Sequence, residues 1–129
     1  MKVAIIDDDA SVRTALRSLL RSAGLATAAY ESAEAFLTAA VPPDPDCIIA
    51  DVQMPGLGGL DLLELLAARG ETVPAILVTA FPSELVARRA SAAGAVRCFD
   101  KPFDADEMIG CVQAALSGRR PDDPPRCDG

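Results

Sequence analysis

The chain has 129 residues, half of them hydrophobic, enough for one compact core of ordinary domain size. Its 19 acidic side chains against 12 basic ones leave a formal charge of -7, which repels phosphate backbones and anionic lipid, so neither nucleic acid nor a membrane surface is an expected partner of this domain. Histidine is absent, which excludes a Ser-His-Asp hydrolase, an imidazole zinc site and a histidine general base. Short β-branched runs alternate with longer segments of 3.6-residue periodicity, the pattern of an α/β fold in which a doubly wound parallel sheet of five strands carries helices on both faces. The first strand is read over Lys2 to Asp7. Asp9 caps a helix over Ala10 to Ala23, with Val12, Leu16, Leu19, Leu20 and Ala23 on one stripe and Gly24 closing it. Arg13, Arg17 and Arg21 recur on its opposite side, as a solvated face or a docking surface for a partner.

A second strand over Ala26 to Tyr30 leads into a helix over Ala33 to Ala40 capped by Ser32. Pro42, Pro43 and Pro45 break the chain before the strongest buried-strand signal, Cys47-Ile48-Ile49-Ala50, which ends at Asp51. The loop Met54-Pro55-Gly56-Leu57-Gly58-Gly59 precedes a helix expected to turn Leu60, Leu63, Leu66 and Ala67 inward. Ala75 to Thr79 is the fourth strand, followed by a helix over Ser83 to Ala93 that stops at Gly94. Ala95 to Asp100 is the fifth strand, Lys101-Pro102-Phe103 a turn, and Asp104 the cap of a last helix with Met108, Cys111, Val112, Ala115 and Leu116 at core spacing. Ser117 to Gly129 is Pro-rich and charged, so the expected division is a folded domain over 1–117 and a disordered tail or truncated linker over 118–129. No apolar run approaches the ~20 residues of a membrane span and the first residues lack a signal-peptide h-region, so a cytoplasmic protein is expected. Cys47, Cys98 and Cys111 sit in apolar segments and read as reduced core residues, while Cys127 falls in the polar tail.

Ligands of an open parallel sheet bind beyond the carboxyl ends of the strands. Those ends are Asp7-Asp8-Asp9 on the first strand, Asp51 on the third, Thr79 on the fourth and Asp100-Lys101 on the fifth. Any one such acid is most simply a helix cap or a solvated loop residue. Several carboxylates converging on one sheet edge repel one another, however, and call for a cation or a basic side chain. Magnesium together with Lys101 fits, because hard oxygen ligands argue against zinc and a site with few protein ligands argues against calcium.

The strings Ile6-Asp7-Asp8-Asp9, Asp51-Val52-Gln53-Met54-Pro55-Gly56 followed by Gly59-Leu60, Val78-Thr79-Ala80, Gly94-Ala95 and Asp100-Lys101-Pro102-Phe103 occur in that order. In these the chain resembles the receiver domain of bacterial two-component response regulators, the CheY-like fold, and among them FixJ-type receivers. The resemblance covers Lys2 to about Leu116 and implies a flavodoxin-like sheet of order 2-1-3-4-5. It implies Asp51 as phosphoacceptor, Asp7 and Asp8 with Asp51 as metal ligands joined by the Gln53 main-chain carbonyl, Mg2+ as the ion, Lys101 as the contact to the phosphoryl group and Thr79 as the hydroxyl that moves to bond it. It further implies a sensor histidine kinase or histidine phosphotransfer protein as donor, a phosphorelay switch rather than an enzyme as the role, and a downstream protein or a second copy engaged through the Ser83 to Leu116 face. A cis Lys101-Pro102 bond is expected on the same grounds.

Two positions depart from the family pattern. Cys98 stands where members usually carry Tyr or Phe, three residues before the lysine, which puts an aromatic-rotamer switch in question. Phe81, two residues after Thr79, is bulky in a loop that borders the phosphoryl site, where it either shields the site from water or packs the turn. A haloacid-dehalogenase-type phosphatase would need a second aspartate where Gln53 stands, and a flavodoxin a Ser/Thr- and Gly-rich loop where the first acids stand. The remaining alternative is an interaction module that keeps the fold and signals without phosphorylation. Both a single-domain regulator and the receiver part of a longer FixJ-type regulator are compatible with the sequence.

Overall fold

The computed structural model describes residues 2–38, 45–70, 73–101 and 103–117. Five strands, β1 (Lys2–Ile6), β2 (Ala26–Tyr30), β3 (Cys47–Asp51), β4 (Ala75–Thr79) and β5 (Arg97–Asp100), alternate with five helices, α1 (Ala10–Ser22), α2 (Ala33–Leu37), α3 (Gly59–Ala68), α4 (Glu84–Ala92) and α5 (Ala105–Leu116). All strand pairings are parallel and the order is β2-β1-β3-β4-β5, so the sheet is the doubly wound one read from the sequence. The central strands are buried on both faces, and their side chains alternate between two cores with the period of two that a pleat imposes.

Val3, Ile5, Cys47, Ile49, Ile76, Val78 and Phe99 meet Leu16 and Leu20 of α1 and Met108, Cys111, Val112 and Ala115 of α5 on one face. Ala4, Ile6, Ile48, Ala50, Ala75 and Leu77 meet Phe36 of α2, Leu60, Leu62, Leu63 and Leu66 of α3 and Ala90 of α4 on the other. This places the turn from β1 into α1 and the turn from β3 into α3 on opposite sides of the sheet. The crevice between them opens at the carboxyl ends of β1 and β3, where such sheets bind ligands.

The caps fall where the polar residues predict. Asp9, Ser32, Ser83 and Asp104 each accept a backbone N–H in the first turn of α1, α2, α4 and α5. Leu62, not Ala67, completes the inward face of α3, since Ala67 is exposed. The buried stripe runs through Gly59, Leu62, Leu63 and Leu66 at regular helical spacing, with Leu60 beside it. β5 starts at Arg97 instead of Ala95 because the Ala95 N–H is taken by the Ala90 carbonyl in closing α4. Cys47 and Cys111 are buried as expected, whereas Cys98 is only half-buried. Among the described residues no helix is long and apolar enough to cross a membrane. Part of the Ala33 to Ala40 helix, the Lys101-Pro102 bond, Cys127 and the 118–129 tail fall outside the described residues.

Candidate functional site

The strands end together, and so do their polar side chains. Asp7 follows β1 with only 2% of its surface exposed, Asp51 closes β3 at 6%, and Thr79 closes β4 fully buried, while Asp8 stands exposed beside them. Lys101 follows β5, its N–H bonded to the Thr79 carbonyl at 2.8 Å, which directs its side chain back across the sheet edge. Its Nζ donates to Asp51 Oδ2 at 3.1 Å and to Asp7 Oδ2 at 3.4 Å.

Each carboxylate is held by main chain as well. Asp7 Oδ1 accepts from the Asp9 N–H at 2.8 Å, and Asp51 Oδ1 accepts from the Gln53 N–H at 3.1 Å. Glycine allows α3 to begin directly behind Asp51: a Cβ on Gly59 would sit 2.7 Å from the Asp51 carbonyl oxygen and 3.0 Å from Leu77 Cδ2.

Electrostatics here are those of an under-neutralised acidic pocket. Burial pushes the Asp7 carboxyl above its ordinary value and the Asp51 charge adds to it, against the opposing pull of the Asp9 N–H and Lys101. Burial alone would lower the Lys101 ammonium, but the hydrogen bond to Asp51 and the charges of Asp7 and Asp51 outweigh it, and its pKa lies above the usual range.

Carboxylate oxygens of Asp7, Asp8 and Asp51 all lie within 4.8 Å of one another. Three carboxylates against one ammonium leave two negative charges, and all the donors are hard oxygens. An octahedral ion with bonds of about 2.1 Å sets its ligand oxygens about 3 to 4.2 Å apart, so the cluster suits a small divalent cation.

All six residues singled out in the sequence, Asp7, Asp8, Asp51, Gln53, Thr79 and Lys101, border this crevice or bond to a residue that does. Three contacts escaped sequence reading. Arg13, which the sequence places on a face either solvated or open to a partner, donates from Nη1 to the Asp7 carbonyl at 2.6 Å. Glu34 Oε2 accepts from the Leu57 N–H at 3.1 Å and ties α2 to the loop after β3. The Gln53 side chain, beyond the carbonyl expected to act as a ligand, accepts from Thr79 Oγ1 at 2.9 Å. Only Arg13 had a signal, its place one turn into α1 after the acidic run.

Cys98 pairs in register with Leu77 and packs against the cluster under α4, its thiol pushed up by burial and by Asp100. Phe81 is 70% exposed and so does not pack the turn, and its N–H donates to Thr79 Oγ1 at 3.0 Å.

Fold and site together define a doubly wound α/β domain of the flavodoxin-like kind, with an acidic pocket bridged by lysine at the topological switch point. Residues 3–113 match the response regulator receiver domain as a family. The transcriptional regulatory protein FixJ of Azorhizobium caulinodans is 45% identical over 116 residues, 90% of this chain and 55% of that protein. The DNA-binding transcriptional regulator NtrC of Klebsiella pneumoniae is 37% identical over 95% of this chain and 26% of its own length. Among solved structures, FixJ-N superposes with a TM-score of 0.81 at 33% identity, covering 90% of this chain and 93% of that one. A response regulator receiver protein from Burkholderia phymatum gives 0.78 at 44% identity over 90% and 94%.

The chain belongs to the response regulator receiver domain family, whose members are regulatory phosphoacceptor domains of two-component systems. It spans about half the length of FixJ and about a quarter of NtrC.

Proposed function

We propose that this domain is a phosphorylation-dependent switch that accepts a phosphoryl group on Asp51 from the phosphohistidine of a sensor histidine kinase or a histidine phosphotransfer protein. The observation that carries the reading is the buried Asp51 carboxylate, bonded to Lys101 Nζ at 3.1 Å and clustered with the oxygens of Asp7 and Asp8. An Asp51 oxygen attacks phosphorus, the bond from phosphorus to the imidazole nitrogen breaks, and the imidazole leaves with its electron pair, giving an acyl phosphate.

Phosphoryl transfer of this kind depends on in-line positioning and on charge neutralisation, with little covalent work for the protein. Asp7, Asp8 and Asp51 would hold Mg2+, with the Gln53 carbonyl as a further ligand, and the ion when bound would supply positive charge against the phosphoryl oxygens. Lys101 contributes the second positive charge. Thr79 donates its hydroxyl to the phosphoryl group after transfer, and the approximately -1.5 to -2 charges added at Asp51 supply the differential interaction that repositions the segment entering α4.

An apolar groove of about 540 Å3, lined by Val12, Leu16, Leu19 and Phe103, reaches Lys101. Output passes through the Ser83 to Leu116 face to a downstream protein or a second copy of the chain. The domain folds as a unit over 1–117, and it acts in the cytoplasm. Incubation with acetyl phosphate and Mg2+ should phosphorylate the wild-type protein and leave Asp51→Asn unlabelled with its circular dichroism unchanged. Equal labelling of the folded variant would overturn the assignment.

A further inference from the structure

The Thr79 hydroxyl has one proton, and that proton is committed. Oγ1 donates to Gln53 Oε1 at 2.9 Å and accepts from the Phe81 N–H at 3.0 Å. The orientation of the Gln53 amide follows from its second partner: the Ala80 N–H, which can only donate, points at the same oxygen from 3.4 Å. Through its own N–H, Gln53 also holds Asp51 Oδ1. One residue therefore grips the carboxylate with its main chain, and grips the hydroxyl and the first residue of the β4–α4 connection with its side chain. A hydroxyl with one proton cannot donate to Gln53 and to an oxygen on Asp51 at once.

We propose that Gln53 is a positioning residue whose side chain latches Thr79 and the β4–α4 connection in the unmodified conformation, competing with a phosphoryl group on Asp51 for the Thr79 proton. The proposal rests on the phosphoacceptor reading above and adds to it the group that holds the resting state. The two acceptors differ in strength. The amide oxygen is neutral, whereas a phosphoryl oxygen is charged and accepts roughly twice as strongly, so the proton passes to the phosphoryl group when one is present and returns after hydrolysis. Gln53 thus sets the threshold of the switch without blocking it. Removing its acceptor would leave the proton of the fully buried Thr79 hydroxyl without an acceptor in the resting state, the Phe81 N–H bond remaining, and so raise that state relative to the switched one.

Gln53→Met keeps the length and the main-chain carbonyl but removes the acceptor. In the unmodified protein, amide hydrogen exchange at Ala80 and Phe81 should accelerate severalfold in the variant, and unchanged exchange at both would overturn the latch. Affinity for beryllofluoride, a non-covalent phosphoryl mimic, should rise about fivefold with Mg2+ present, the scale of one neutral hydrogen bond. In a Thr79→Val background the same Gln53→Met change should give no gain. A gain of equal size there would show that position 53 acts on the probe directly, and it would sink the proposal. If the wild-type protein binds no beryllofluoride at all, the phosphoacceptor reading falls and the competition with it, while the exchange measurement still reports on the hydrogen bond.

Discussion

Burial and charge pull against each other at the residues that matter most. Asp7 is nearly inaccessible and sits beside a second carboxylate, so both its surroundings and Asp51 disfavour its ionised form, with one lysine shared between the two. At Cys47 burial, with the charge of Asp46 added, outweighs the hydrogen bond to the Ile48 carbonyl and pushes the thiol from near 9 up to about 12. A folded-state pKa above the unfolded one means the native state binds more protons, so stability is full below about pH 9 and falls as pH rises toward 12. Urea unfolding between pH 9 and 11 should show the wild type losing up to about 1.4 kcal/mol per pH unit more than Cys47→Ala. Parallel slopes would show that the thiol ionises as readily folded as unfolded.

Phe81 belongs to the same scale. Its ring is exposed while its N–H bonds the Thr79 hydroxyl, and an acyl phosphate is lost to water attacking in line. If the ring shields that line, Phe81→Ala should shorten the lifetime of the phosphorylated protein about tenfold, equivalent to about 1.4 kcal/mol of barrier, as measured by its decay at fixed Mg2+. Equal lifetimes would make the ring a bystander. Residue types at strand ends were legible in the sequence because acids there have no structural use in such number. The grip of Gln53 on Thr79 was not, since it joins positions 26 apart whose meeting depends on the β3–β4 register.

At the scale of elements, α3 is the one whose placement fixes the site. Its first residue lies against the carbonyl of Asp51, so Gly59→Ala should force the helix and the end of β3 apart, costing about 1–3 kcal/mol by overpacking and slowing phosphorylation along with it. Gly110 in α5 has open space around a would-be Cβ, and Gly110→Ala should instead stabilise by about 0.5–1 kcal/mol through helix propensity. Chemical denaturation of the two variants checks the pair, and a neutral Gly59→Ala would mean that the contact with Asp51 relaxes freely. Caps and strand cores were readable because a single side chain or a run of β-branched residues decides each. The inward face of α3 was misread at Ala67 because a stripe begun at Leu60 reaches 67, whereas the buried stripe begins one residue earlier, at Gly59, and runs through Leu62, Leu63 and Leu66. The start of β5 was misplaced for a related reason, since Ala95 is apolar enough for a strand but its N–H closes α4.

For the molecule as a whole, the sheet holds three carboxylates at one edge, and folding has to bear their repulsion. A divalent cation relieves it and therefore binds the folded state selectively, so Mg2+ at a hundred times its dissociation constant should add about 2.7 kcal/mol of stability. Both Asp7 oxygens are already engaged, by the Asp9 N–H and by Lys101, whereas Asp8 is exposed. Asp8→Ala should thus weaken Mg2+-dependent thermal stabilisation more than Asp7→Ala, and the reverse order would exchange their roles.

The central claim is that the group modified is the Asp51 carboxylate and no other acid of the cluster. Borohydride reduces an acyl phosphate of aspartate to homoserine, so treatment of the phosphorylated protein followed by peptide mapping reads the site directly. Homoserine at position 51 alone is the predicted result; homoserine at position 7 or 8, or none at position 51 after confirmed labelling, would contradict it.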